Sequence, residues 1–406
     1  MGRRLLQTFG ALAVVALVVG FVVWQGRDEQ PPPSVAPGDV VLQYADGSEL
    51  VRIPPENTPA PKSAAGWLRA QVMAELELHT QVTFAQATAA SAIIRTTIDP
   101  KLQLAAASAG AEAMRGLPNL RHSVTAIDPA SGSIRAYWPG DDVDYARGVL
   151  RTPGSAFTPI VLAAALRSGK ALDTTFDCRS PRTIGAVQIR NQEPVAPRCT
   201  LREAAERSVN TAMYDLVAND LGGPKVADLA KRIGIPETVE IDGWITKLLA
   251  GKDAAGPDAT IALGVGDAQL RPFDLAAAYS TFAADGVRHR PHFIADVRDR
   301  SGTVLYQAVD DAKPAISKEI AGQVTDLLKS IPACAAKAAC KPGEAGHPVS
   351  AGDYSDAWMI GYTPALAVSV WVGTDKGSTL LRDANNEPVT GTGLPATIWK
   401  TFLAKA

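Results

Sequence analysis

Four cysteines and five histidines are all that this chain of 406 residues offers a soft or borderline metal ion, and their spacing is poor for binding one. No C-x-x-C pair occurs, and His79, His122, His289, His292 and His347 form no ligand motif, so neither a metal nor any other cofactor is expected. Positive charge is not in excess either: 40 Lys and Arg stand against 42 Asp and Glu, a net charge of -2, and the cations are scattered. That balance excludes nucleic acid as a partner. What the chain does have is apolar residues, 46% hydrophobic against 20% charged, enough for one large core and smaller pieces beside it.

Residues 5–24 are a nearly uninterrupted apolar run behind Arg3 and Arg4. At about 1.5 Å per residue the run reaches roughly 30 Å, the thickness of bilayer hydrocarbon. Basic residues stay on the cytoplasmic side, which predicts a single-pass cell-membrane protein with its N-terminus inside and everything from Gly26 outside. The stretch Val22-Val-Trp-Gln-Gly-Arg27 lacks a small-x-small pattern, favouring an uncleaved anchor over a signal peptide. Cys178, Cys199, Cys334 and Cys340 would then lie in an oxidising compartment. Two disulfides and three pairings are open to them, with sequence proximity favouring Cys178 with Cys199 and Cys334 with Cys340.

The remaining organisation reads in three parts: 1–25, a cytoplasmic tip and anchor; 26–92, a Pro-rich stalk; and 93–406, the main domain. The stalk carries a hairpin signal at Asp46-Gly47, with apolar runs on both sides, and an amphipathic helix over 65–78. In the main domain, 122–138 reads as a hairpin and 170–285 as mostly helical, with a loop-rich stretch over 173–198 and a capping box at Thr200-Leu-Arg-Glu203. Alternating strands return over 293–298, 304–307, 358–362 and 366–373, and a last helix covers 395–403. Strand pair, helical block, strand block and terminal helix together predict an α+β fold. Its one antiparallel sheet is built from both ends of the domain, flanked by helices, with an all-helical subdomain inserted.

The stretch Arg147-Gly-Val-Leu-Arg-Thr-Pro-Gly-Ser-Ala-Phe-Thr-Pro159 delivers Ser155 to the start of an Ala/Leu-rich helix. A hydroxyl there sits at the positive end of the helix dipole, where an attacking alkoxide is favoured. Serine is equally a good helix cap, so the surroundings must decide.

Those surroundings are Arg95-Thr-Thr-Ile-Asp-Pro-Lys-Leu-Gln103, Thr200-Leu-Arg-Glu-Ala204, Ser208-Val-Asn-Thr211, Ala262-Leu-Gly264, Ala278-Tyr-Ser-Thr-Phe-Ala-Ala-Asp-Gly286, Asp356-Ala-Trp358, Gly361-Tyr-Thr-Pro364 and Pro395-Ala-Thr-Ile-Trp-Lys400. In this order and spacing they resemble the transpeptidase domain of penicillin-binding proteins, closest to the bifunctional high-molecular-mass class. The resemblance runs from about residue 93 to 403. It implies a serine β-lactamase/transpeptidase-like fold and three motifs, S-x-x-K, S-x-N and K-T-G. In the family, the serine attacks a D-Ala carbonyl of a peptidoglycan stem peptide, or a β-lactam, to give an acyl-enzyme. The glycosyltransferase domain of bifunctional members has no counterpart in 26–92 and is expected to be absent.

The matching residues are altered. Ser155 keeps the nucleophile, but Thr158 replaces the lysine that would take its proton, and a positioned base is worth about 10²- to 10⁴-fold. Ser208 and Asn210 keep the second motif intact, the serine as proton relay and the asparagine as a holder of the substrate amide. Aligned back from Asp356-Ala-Trp358 without a gap, the third motif falls on His347, Pro348 and Val349, followed by Ser350. Histidine is only partly charged near its usual pKa of about 6.5, proline removes a hydroxyl and an N–H, and valine adds bulk where glycine allows close approach. Lys341-Pro-Gly343 is a rival for this motif but lies six residues early. The expectation is a membrane-anchored pseudo-transpeptidase in cell-wall assembly that binds stem peptide or β-lactam weakly. One alternative is an active acyl-serine transpeptidase or carboxypeptidase in which Ser208, His347 or a lysine from elsewhere supplies the base. The other is a non-enzymatic scaffold for wall-synthesis proteins.

Overall fold

The computed structural model describes residues 38–406 apart from 58, 242, 252–255, 267, 336–339, 342–343, 352–353 and 378. The expected anchor falls outside these residues. Among the described residues no helix is long and apolar enough to cross a membrane.

The first strands are β1 (Val40–Gln43) and β2 (Glu49–Ile53), antiparallel around Asp46, whose carboxylate accepts from the Ser48 N–H at 2.9 Å. Strand β3 (Ile93–Thr96) runs parallel to β1 and antiparallel to β6 (Ile294–Arg298), which pairs with β7 (Val304–Gln307), giving the order β7-β6-β3-β1-β2. Helix α1 (Ala64–His79), capped by Ser63, buries Leu68, Val72 and Leu76 against this sheet at i, i+4 spacing. Each such side chain is worth about 1.5–3 kcal/mol. Glu75 of α1 also accepts from the N–H groups of Phe293 and Ile294 at 2.7 and 3.0 Å. Residues 38–92, read from composition as a stalk, are therefore joined to the rest, and Gly38–Ala406 forms one compact unit. The proline runs masked a sheet whose partners lie far along the chain.

A second sheet has the order β8-β9-β10-β4-β5, all antiparallel: β4 (Arg121–Ile127), β5 (Ile134–Trp138), β8 (Ala345–Ala351), β9 (Asp356–Tyr362) and β10 (Ala367–Gly373). It is the sheet built from both ends of the domain. The strands over 294–307 do not join it, so the structure has two five-stranded sheets where the sequence suggested one. Alternation marks a strand but not its partner.

Helices cover both faces. Helix α2 (Phe84–Ala89) belongs to the core of the first sheet; α3 (Pro100–Ala113) and the closing α10 (Leu394–Lys405) bury Ala105, Ala109, Trp399 and Phe402 on one face of the second with Ala357, Met359 and Val370. The other face, with Trp358, Ile360 and Trp371, shares one core with α4 (Thr158–Arg167), α8 (Pro272–Ala283) and the inserted block of α5 (Leu201–Glu206), α6 (Asn210–Asp215) and α7 (Gly223–Arg232). Helix α9 (Lys318–Ser330), capped by Ser317, adds Ala321, Val324, Leu327 and Leu328 to that core; the sequence reading did not pick it out. Three two-stranded ribbons lie among the inserted helices: Thr175–Asp177 with Arg198–Thr200, Arg182–Ile184 with Val187–Ile189, and Thr238–Ile241 with Trp244–Lys247. The first two occupy the stretch read as loop-rich. Disulfides join Cys178 to Cys199 and Cys334 to Cys340, with Cα atoms 5.9 and 4.6 Å apart.

Candidate functional site

Ser155 lies in a short 3-10 turn, Gly154–Phe157, that runs directly into α4, with Pro159 in the first helical turn. Two glycines make this geometry possible. Gly154 has φ +55°, and a Cβ on it would lie 2.6 Å from Ala351 Cβ on β8. Gly264 has φ +62°, accepts from the Gly154 N–H at 3.0 Å, and has no room for a Cβ, which would fall 2.0 Å from the Gly154 oxygen. Any side chain at either point would force backbone apart as well as adopt a disfavoured conformation.

The turn's carbonyls are held from three directions. The buried Tyr279 hydroxyl of α8 donates to the Ala156 oxygen at 2.9 Å, and Trp358 Nε1 of β9 donates to the Thr152 oxygen at 3.1 Å. Arg151 and Leu270 exchange backbone hydrogen bonds of 2.8 and 2.9 Å. The Arg151 guanidinium stacks over the Trp371 ring at 4.5 Å, and Trp371 Nε1 in turn donates to Asp356 at 2.8 Å. Burial holds the Asp356 carboxyl above its usual range, the hydrogen bond from Trp371 opposing it.

Ser155 itself is half-buried and Thr158 is buried at 2% exposure. The Thr158 N–H donates to the Ser155 carbonyl, as the helical spacing requires. Among the described residues, Thr158, Ser208, Asn210 and His347 make no hydrogen bond to the Ser155 hydroxyl.

The second motif follows α5, whose start carries the reciprocal capping box of Thr200 and Glu203. Ser208 sits in the left-handed region at φ +49°, a conformation costing a non-glycine residue about 1–3 kcal/mol, and so turns the chain from α5 into α6. Asn210 opens α6, and its Nδ2 donates to the Arg190 carbonyl at 2.9 Å. One residue on, the Thr211 N–H donates to Asn191 Oδ1 at 3.0 Å. Arg190 and Asn191 belong to the loop closed by the Cys178–Cys199 disulfide, and Asn191 Nδ2 returns to the Cys178 carbonyl at 2.9 Å. The hairpin in that loop packs Ile184 and Ile189 on Tyr214 of α6, with Leu263 alongside. Leu263 ends the 3-10 turn Ala259–Leu263, and Gly264 follows. That turn thus stands between the two motifs and touches both, since Gly264 meets Gly154.

The third motif positions fall on β8, in unbroken register: His347 opposite Ile360, Pro348 opposite Met359, Val349 opposite Trp358 and Ser350 opposite Ala357. This strand is the sheet's edge beside the Ser155 turn, which explains how it accommodates a proline. Val349 and Ala351 face Gly154. His347 points into the interior at 3% exposure, its Nδ1 has no partner, and burial alone lowers its pKa to about 4. Ser350 Oγ instead accepts from the Gly391 N–H at 3.3 Å, on a segment so close that a Cβ on Gly391 would lie 2.1 Å from the Val349 nitrogen. Lys341 lies off the strand and is exposed, its N–H bonded to Glu344.

Sequence reasoning did not single out Asn191, which has no local signal. It used Gly264 and Tyr279 only as part of the family resemblance, and Trp358 for that and for the register, whereas Gly264 and Tyr279 bond the Ser155 turn and Trp358 bonds the segment just before it. A cavity of about 470 Å³ elsewhere, between α7 and residues 247–251 and 256–257, is lined by none of the motif residues.

A family model, the penicillin binding protein transpeptidase domain, matches residues 123–387. Penicillin-binding protein 1A of Mycolicibacterium smegmatis is 36% identical over 331 residues, 76% of this chain and 41% of that protein. Penicillin-binding protein 1A of Mycobacterium tuberculosis is 36% identical over 328 residues, 77% of this chain and 39% of that one. The chain therefore spans about two fifths of the length of these curated relatives. The solved structure of the PonA1 protein from Mycobacterium tuberculosis in complex with penicillin V matches with TM-score 0.77 and 34% identity, over 85% of this chain and 93% of that one.

Proposed function

The chain belongs to the penicillin-binding protein transpeptidase family, and on that footing we propose that it is a membrane-anchored pseudo-transpeptidase of cell-wall assembly, holding stem peptide or β-lactam beside Ser155 without efficient acyl transfer. The observation that carries this reading is Thr158. It is buried one helical turn from Ser155, where the family's motif has lysine, and it offers a hydroxyl with no basic form near neutral pH. The absent base removes about 10²- to 10⁴-fold in acylation rate. His347 is a poor substitute, because an imidazole with a pKa of about 4 takes up a proton reluctantly and this one makes no hydrogen bond to Ser155.

The remaining features support a binding role. Ser155, Ser208 and Asn210 stay on walls tied together through the turn ending at Leu263, and β8 keeps an edge to which no described strand is paired. The two disulfides suit the oxidising side of a membrane, with residues 5–24 as anchor. The test is acylation of the purified protein by a labelled β-lactam, read by mass spectrometry. Slow, substoichiometric labelling is expected; rapid stoichiometric labelling that disappears in Ser155→Ala would refute the pseudoenzyme reading.

A further inference from the structure

The Ser155 cleft differs in charge from what recognition of a terminal carboxylate requires. Such recognition rests on a cation or a fork of donors aimed at the anion, and burying a carboxylate without one carries a heavy desolvation penalty. At the four altered positions, Thr158, His347, Pro348 and the apolar Val349, there is none. Thr158 is neutral. His347 is buried and holds no proton at neutral pH, its Nδ1 unpartnered. Pro348 has neither N–H nor hydroxyl. The cations carried near the second motif are turned elsewhere, Arg190 to Gln188 Oε1 at 3.1 Å and Arg207 to the Pro194 carbonyl at 2.9 Å.

Asn210 points the same way. One N–H of its Nδ2 is engaged by the Arg190 carbonyl, which leaves the other N–H beside Oδ1, a donor and an acceptor that a ligand amide can match together and a carboxylate only in part. No described strand is paired with the outer edge of β8, and such an edge can pair with an extended backbone. Among the described residues the cleft thus offers paired donors and acceptors and a strand edge with no cation at the altered positions, a combination suited to a neutral amide and unsuited to an anion.

We propose that the ligand held here is an extended peptide whose C-terminal carboxylate is replaced by an amide, as in a stem peptide that is amidated or already cross-linked. This rests on the reading of the cleft as a peptide-holding site. The ligand then brings an additional N–H donor to the cleft, and no charge has to be stripped of water.

The test measures binding of two probes to the full chain in detergent by titration calorimetry: diacetyl-Lys-D-Ala-D-Ala as the free acid and as its C-terminal carboxamide. The carboxamide is expected to bind at least about tenfold more tightly, with the preference changing less than about twofold between low and high salt, since no ion pair is made. His347→Lys should reverse the preference. Should melting show that variant to be unfolded, Pro348→Thr, at a half-buried edge position, serves instead and should narrow the preference. Equal or tighter binding of the free acid overturns the inference while leaving the peptide-holding reading intact. Binding of neither probe overturns both.

Discussion

Replacing His347 by Leu tests the electrostatic state of the altered third motif directly. In the folded protein the imidazole is 3% exposed and its pKa falls to about 4 through burial alone, whereas in the unfolded chain it takes the usual value of about 6.5. A depressed histidine is buried neutral: its contribution to stability is intact above pH 6.5, and falls as the pH drops and the unfolded state takes up a proton that the folded state refuses. Between pH 7.5 and pH 4 the loss amounts to about 3 kcal/mol, because a displacement of about 2.5 units is worth roughly 1.36 kcal/mol for each unit, less the fraction already protonated in the folded state. The assay is urea unfolding of wild type and His347→Leu across that pH range. The gap between the two stabilities should shift by about 3 kcal/mol in favour of the leucine variant as the pH falls. His122, half-buried and also lowered to about 4, is common to both proteins and cancels. Parallel stability curves would mean that His347 is solvated or paired, and the argument that this strand presents no cation would fall with it.

Tyr279→Phe keeps the ring contacts with Phe282 and Tyr362 but leaves the Ala156 carbonyl unpaired in the interior, so unfolding free energy should drop by about 1–3 kcal/mol with the urea m-value unchanged. Replacing both Cys178 and Cys199 by Ala should cost about 3 kcal/mol, measured the same way, since the bridge closes a loop of 21 residues. Asn191→Ala removes the acceptor of the Thr211 N–H and the donor to Cys178, and should weaken ligand binding by more than its effect on melting explains, as titration of the carboxamide peptide would show. Gly264→Ala should be the most damaging of these changes, because its Cβ would meet backbone atoms rather than a movable side chain; loss of soluble folded protein, followed by circular dichroism, is the expected result.

What could be read from the sequence was local. Asp46 turns its own hairpin through a bond two residues away, Thr200 and Glu203 cap their own helix, and of the residues whose spacing marked α1, Val72 and Leu76 lie on its buried face. The pairing of β6 with β3 was not legible, because nothing in Ile294–Arg298 records that its partner lies 200 residues earlier beside a proline-rich stretch. The Ser155 site shows the same division. The position of the serine followed from short motifs, but what fixes its turn is contact between distant backbones: Gly154 against Gly264 and Ala351, and carbonyls held by Tyr279 and Trp358. None of those contacts involves the residues at the lysine positions of the first and third motifs. The framework can therefore hold its shape with Thr158 and His347 in place, because neither side chain takes part in fixing the turn. Shape and chemistry are separable in this fold, because hydrogen-bonded backbone sets the one and a few titratable side chains set the other.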